Sequence, residues 1–163
     1  MQISKHFKLS EFIKSQVATR NGIKNMPGSG DIKNLGNVAY EILEPVRAKF
    51  EKPVMINSGY RCLELNRKIG SSDSSQHTKG MAVDFEIIGT PNIQVAYWVQ
   101  NNCDFDQLIL EFYRPDEDNA GWIHASYCDG NNRKQVLTFD GKSYTDGLPE
   151  MLWENGKVKI WYG

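Results

Sequence analysis

The sequence predicts an α+β domain, with helices gathered in the first half and packed on a mostly antiparallel sheet. Three observations carry that expectation. Apolar residues recur at helical spacing as far as about residue 50, short runs of β-branched and aromatic residues follow, and the tail carries two hairpin signals. The chain has 163 residues, of which 40 % are hydrophobic and 24 % charged, so one domain can bury a real core.

Ser10 is placed to cap a helix from Glu11 to about Thr19, with Phe12, Ile13 and Val17 on its apolar side. The turn NGIKNMPGSG follows. Asp31 then caps a longer helix, because Ile32, Leu35, Val38, Ile42, Leu43 and Val46 recur on one face. Pro45 has no N–H to donate and disturbs that helix near its end. PVMIN (53–57) predicts a strand, SGYR turns the chain, and a helix from Leu63 to Ile69 stops at Gly70. After the loop SSDSS, MAVDFEII (81–88) is the central strand. Thr90-Pro91 supplies a cap and a first position for a further helix through Ile93, Ala96 and Tyr97. QLILEFY (107–113) and WIHASY (122–127) predict two strands joined by the polar RPDEDNAG. Asp140-Gly141 and Asn155-Gly156 mark hairpins in the tail. The expected organisation is a main domain over 1–133 with a hairpin extension over 134–163 packed on it.

Several function classes are excluded. The net charge is −1 and no dense Lys/Arg run occurs, so no nucleic-acid partner is expected. MQISKHFKLSEFIKSQ lacks the apolar centre of a secretory signal, and no run is long enough to insert in a membrane. Cys62, Cys103 and Cys128 are odd in number and show no C-x-x-C spacing, which fits free thiols in a reducing compartment. A monomer is the expected state.

The chain holds three histidines, and two of them are unusually placed. His6 lies near the terminus without acidic neighbours and reads as a surface residue. His77 follows a Ser-rich loop, and Asp84 interrupts an apolar strand between Val83 and Phe85. Alternation puts Ala82, Asp84 and Glu86 on one face, with Val83, Phe85 and Ile87 on the other. The small Ala82 leaves room beside Asp84, and Gly80 permits a close backbone approach. His124 shares a face with Trp122 and Ser126. Two imidazoles and one carboxylate form a tripod that leaves zinc one open position, as in catalytic sites. The competing reading is an ordinary hydrogen-bonded histidine at each position.

Hydrolysis also needs a base. Glu111 lies mid-strand, where an unpaired carboxylate is costly. A hairpin centred on RPDEDNAG pairs Glu111 directly with His124, about 5 Å apart at Cβ. Arg61, just after PVMIN, can grip a carboxylate or carbonyl oxygen of a substrate, or remain a surface arginine.

Together these residues resemble the zinc D-Ala-D-Ala carboxypeptidases and phage L-alanyl-D-glutamate endopeptidases. The signature S-x-H-x-x-G-x-A-x-D is filled by Ser75, His77, Gly80, Ala82 and Asp84, with SGYR upstream and W-x-H (Trp122, His124) downstream. FKLSEF, LEPVR and DQLILEF are similar to the phage and prophage branch, and the likeness runs from about Phe7 to Arg133. The resemblance implies a Hedgehog/DD-peptidase-like fold, zinc held by His77, Asp84 and His124, and Arg61 binding substrate and polarising its carbonyl. Ser75, Gln76 and Trp122 are the further substrate-binding candidates. Many members place the catalytic glutamate three residues before the last histidine, where this chain has Gly121. The base must come from elsewhere, from Glu111 or, failing that, from Glu117.

The implied substrate is the stem peptide of bacterial peptidoglycan. The absence of a signal peptide fits a phage or prophage endolysin that waits in the host cytoplasm until the membrane is permeabilised. A D-Ala-D-Ala carboxypeptidase or dipeptidase is the alternative within enzymes, and a non-catalytic wall-binding or virion module is the alternative outside them. Phe139, Tyr144, Trp153, Trp161 and Tyr162 in the tail can bind wall polymer or, as preferred, form a hairpin packed on the sheet.

Overall fold

A computed structural model describes the backbone of residues 1–154 and 157–161 and the side chains up to residue 151. Helices α1 (Leu9–Ile13), α2 (Gln16–Arg20), α3 (Ser29–Val38) and α4 (Glu44–Phe50) precede strand β1 (Met55–Ser58) and α5 (Leu63–Lys68). Strand β2 (Ala82–Glu86), helix α6 (Asn92–Asn102), β3 (Gln107–Glu111), β4 (Trp122–Ser126), β5 (Gln135–Phe139) and β6 (Tyr144–Asp146) complete the main body. The six strands form one sheet in the order β1-β2-β4-β3-β5-β6, antiparallel except between β3 and β5. A separate antiparallel pair, β7 (Glu150–Glu154) and β8 (Lys157–Trp161), ends the chain. The fold is α+β. The turn residues Asn155 and Gly156, and Tyr162, lie outside the described residues, as do the Trp153 and Trp161 side chains.

Strand alternation gives the sheet two different faces. Val83 and Phe85 of β2, Leu108 and Leu110 of β3, and Ile123 and Ala125 of β4 are fully buried against the helices. Leu35, Val38, Ile42, Leu43 and Val46 supply the opposing helical layer. Asp84, His124 and Glu111 fall on the other face, where residues 14–17 form part of a cleft wall beside Asp84.

Several elements differ from expectation for local reasons. The first helix is two: Lys14 is extended (φ −65°, ψ 134°), and the Ser15 hydroxyl accepts from the Ala18 N–H at 3.2 Å to cap α2. Helix α3 begins two residues before Asp31, whose carboxylate still closes the first turn by accepting from the Gly28 N–H at 3.0 Å. Ahead of Pro45 the helix widens into a π turn over Ala39–Leu43, with the Glu44 N–H bonded five residues back to the Ala39 carbonyl. Pro91, not Thr90, occupies the cap of α6.

The β3–β4 register also differs. Glu111 pairs with Trp122, and Ile109 pairs with His124. Phe112 adopts a left-handed conformation (φ 53°) and leaves the strand early, which moves the turn by one residue and the pairing by two. A slip of two keeps every side chain on its own face. Glu111 therefore stays on the face of His124 as its diagonal neighbour instead of its direct partner.

Candidate metal centre

Asp84 and His124 are cross-strand partners in β2 and β4, so the sheet ladder itself brings them together. His77 arrives from a 3-10 turn, Gln76–Lys79, ended by Gly80 at φ +66°. A Cβ on Gly80 would stand 2.5 Å from the Asp31 carbonyl oxygen, so its lack of a side chain serves the packing of this turn on α3. The close backbone approach expected at Gly80 is thus to helix α3.

The three side chains converge. The His124 Nδ1 lies 2.9 Å from Asp84 Oδ1, His77 Nε2 lies 3.4 Å from the same oxygen, and the two ring nitrogens are 3.3 Å apart. One donor atom from each lies within 4.8 Å of the others, and all three residues are buried. Burial pushes the Asp84 carboxyl pKa upward, but the two histidines beside it outweigh that and hold the group well below the ordinary range. Burial drives the His77 imidazole downward, toward the neutral form that binds metals. His77 Nδ1 sits 2.7 Å from the Gly59 carbonyl oxygen, which accepts only if Nδ1 carries the proton, leaving Nε2 as a free ligand atom.

The SGYR turn is the second half of this clasp. The Arg61 N–H donates to the His77 carbonyl at 3.1 Å, and the Tyr60 N–H donates to the Phe12 carbonyl at 2.8 Å. A Cβ on Gly59 would meet Phe12 backbone atoms at 2.6 and 2.8 Å, so only glycine fits between α1 and the histidine. Buried Asn25 sews the turn down. Its amide donates to the Ile13 and Tyr60 carbonyls, and its oxygen accepts from the Cys62 N–H. Nothing in the polar turn NGIKNMPGSG marks Asn25 for this task, because all three partners are distant backbone groups.

A family model described as Peptidase M15 matches residues 5–125. The chain belongs to the peptidase M15 family. M15 peptidases are zinc-dependent metallopeptidases, and the buried His77–Asp84–His124 group of this member could hold the ion. No curated protein matches the chain.

Beside the M15 centre lies a cleft of about 330 Å³ lined by Tyr60, Arg61, Leu65, Asp84 and Trp122, among others. Two of its N–H donors, Arg61 Nε and Trp122 Nε1, are buried without a well-formed hydrogen bond. Burial pushes the Arg61 guanidinium pKa down, and the negative charges of Asp84 and Glu111 oppose that shift. Burial pushes the Glu111 carboxyl up, and the charge of Asp84 adds to it, while His124, the nearby Trp122 indole N–H and Arg61 act in the other direction. The Ser75 carbonyl accepts from Thr78, and the Gln76 amide donates to Asp106 Oδ2 at 2.8 Å and Cys128 Sγ at 3.3 Å. Glu117 is exposed in the β3–β4 loop, paired with Arg114 at 3.1 Å. All three cysteines are free, and among the described residues no helix is long and apolar enough to cross a membrane.

Asp106 pins the His77 turn to the sheet. Besides Gln76 it receives the Arg133 guanidinium at 2.7 Å, and these bonds lower its carboxyl from 3.8 to about 2. A depressed folded-state pKa stabilises the protein where the group is ionised. That contribution is complete above about pH 4 and disappears as the pH falls toward 2. With half-exposed Arg133 screened by solvent, it amounts to about 1–2 kcal/mol. Asp106→Asn should therefore lower the melting temperature at pH 7 by a few degrees, with the difference shrinking as the pH falls through about 2, as thermal scans across pH will show.

Proposed function

We propose that the chain is a zinc-dependent peptidase that hydrolyses peptide bonds in bacterial peptidoglycan stem peptides, as a phage or prophage endolysin. The observation that carries this reading is the meeting of a buried His-Asp-His tripod with the unsatisfied Arg61 Nε–H in one open cleft. An unpaired buried donor costs about 1–3 kcal/mol, and a peptide carbonyl oxygen supplies the acceptor that Arg61 Nε lacks. The likeness of FKLSEF, LEPVR and DQLILEF to phage members supports the endolysin role.

His77 Nε2, Asp84 and His124 Nδ1 would hold the ion. When bound, zinc supplies Lewis-acid chemistry, lowering the pKa of a water to about 7 and polarising a carbonyl. Glu111, raised by burial and by Asp84, takes a proton from the attacking water as the new C–O bond forms. The same carboxyl then passes that proton to the departing amine nitrogen as the C–N bond breaks. Arg61 donates to the carbonyl oxygen and stabilises the negative charge that grows there. Trp122, opposite Glu111 in the ladder, walls the cleft and holds the base in place.

Treatment of the protein with a chelator should abolish release of new amino termini from purified peptidoglycan, and added zinc should restore it. Equal hydrolysis with and without chelator would overturn the metal-dependent reading, and wall binding without hydrolysis under either condition would favour a non-catalytic module.

A further inference from the structure

The cleft at the metal centre continues past Asp84 and Trp122. Lys14, Ser15, Gln16 and Asn57 line it and also line a larger groove of about 720 Å³ that extends to Thr19 and Arg20. The sheet side of this groove is Ile56 and Asn57 of β1, an edge strand that pairs within the sheet with β2 alone. The break between α1 and α2 shapes its other side, because extended Lys14 and capping Ser15 turn α2 so that both ends of 14–20 border the groove.

Its charge is one-sided. Lys14 and Arg20 are exposed, no carboxylate lines the groove, and neither cation forms an ion pair among the described residues. Arg20 reaches only the neutral Gln16 Oε1, at 3.4 Å. By contrast Arg67, Arg114 and Arg133 each rest on an aspartate or glutamate. On the sheet side Glu86 accepts from Asn57 Nδ2 at 3.5 Å and pairs through its backbone with Met55, and Asp84 lines the adjoining cleft. An extended peptide leaving the metal centre along this groove meets two unpaired cations.

We propose that the groove is a substrate subsite for an acidic residue, with Lys14 and Arg20 holding a peptide carboxylate remote from the bond being cut. The inference rests on the peptidase reading and adds a specificity to it. Such a contact is made equally in the ground state and the transition state, so it acts on KM and leaves kcat unchanged.

Synthetic stem peptides in which each carboxylate is changed in turn to a carboxamide provide the test, using the zinc-loaded full chain. One carboxamide peptide is expected to raise KM about five- to tenfold at constant kcat, an effect that shrinks at high ionic strength. Lys14→Ala with Arg20→Ala should raise KM for the parent peptide by the same factor and leave that carboxamide peptide unaffected, because both changes delete one contact. Lys14→Arg with Arg20→Lys should restore the parent KM. No carboxylate dependence, or losses that add in full, would overturn the subsite. Fluorescence anisotropy of the same peptides on zinc-loaded Glu111→Gln separates the two claims. Carboxylate-dependent binding with no turnover by the wild type would sink the peptidase reading and keep the subsite, whereas turnover without carboxylate dependence would do the reverse.

Discussion

Glu111→Gln should leave zinc content at the wild-type level and lower kcat by about 10²–10⁴-fold, with KM little changed. The substitution keeps the size and position of the side chain beside Trp122 and removes only its ability to take a proton. Metal retention is expected because the tripod of His77, Asp84 and His124 is complete without it. Wild-type turnover should also fall on acidification as Glu111 becomes protonated, an event that burial and Asp84 move to higher pH and a bound cation moves back. The residual rate of Glu111→Gln should lack that acid limb. A stopped assay across pH, with metal analysis of the same samples, checks both parts. Retention of most of the activity by Glu111→Gln would place the base elsewhere.

Gly121→Glu should damage the protein instead of supplying a second base. This position is where many relatives by resemblance carry the catalytic glutamate, yet the backbone at Gly121 is left-handed (φ +67°). A Cβ there would overlap the Glu111 carbonyl oxygen and stand 2.9 Å from the Phe112 carbonyl carbon, and both contacts are with backbone. Relief requires moving the end of β3, the strand that carries Glu111. The expected loss is about 3 kcal/mol or more, a fall in melting temperature of roughly 6–12 °C, together with reduced turnover. Thermal unfolding and peptide hydrolysis measured on Gly121→Glu and Gly121→Ala will show whether the backbone is the cause, since both variants carry the same Cβ. Unchanged stability with higher activity would mean that the glutamate can be accommodated and that Glu111 is not needed. The structure thus gives Gly121 a reason of its own: close approach at this position shapes the hairpin that brings Glu111 to the face of His124.

The site was legible in the sequence where period-two alternation decides it. Asp84 within MAVDFEII and His124 within WIHASY each break an apolar pattern on a defined face, and the sheet makes them partners. The slip of β3 against β4 was not legible, because it depends on Phe112 taking a positive φ, which bulky residues rarely adopt. The break at Lys14 was equally silent: Phe12, Ile13 and Val17 satisfy one helical face, while Ser15 competes with it by capping a new helix. That break shapes the cationic groove. Asn25 and the Gly59 carbonyl, which hold Arg61 and His77 in place, act through hydrogen bonds between segments far apart in the chain, and no local pattern encodes them. The parallel pairing of β5 with β3 was unexpected for the same reason, since hairpin signals report only adjacent antiparallel pairs.

The central claim is that His77, Asp84 and His124 form a metal centre that cuts stem peptides. Mass spectrometry of purified peptidoglycan digested by the zinc-loaded chain tests it most directly, with chelated protein and His124→Ala alongside. The account predicts fragments with new termini inside the stem peptide from the zinc-loaded wild type, and undigested wall from the other two. The same fragments from His124→Ala, or an intact stem peptide with zinc bound to the wild type, would contradict it.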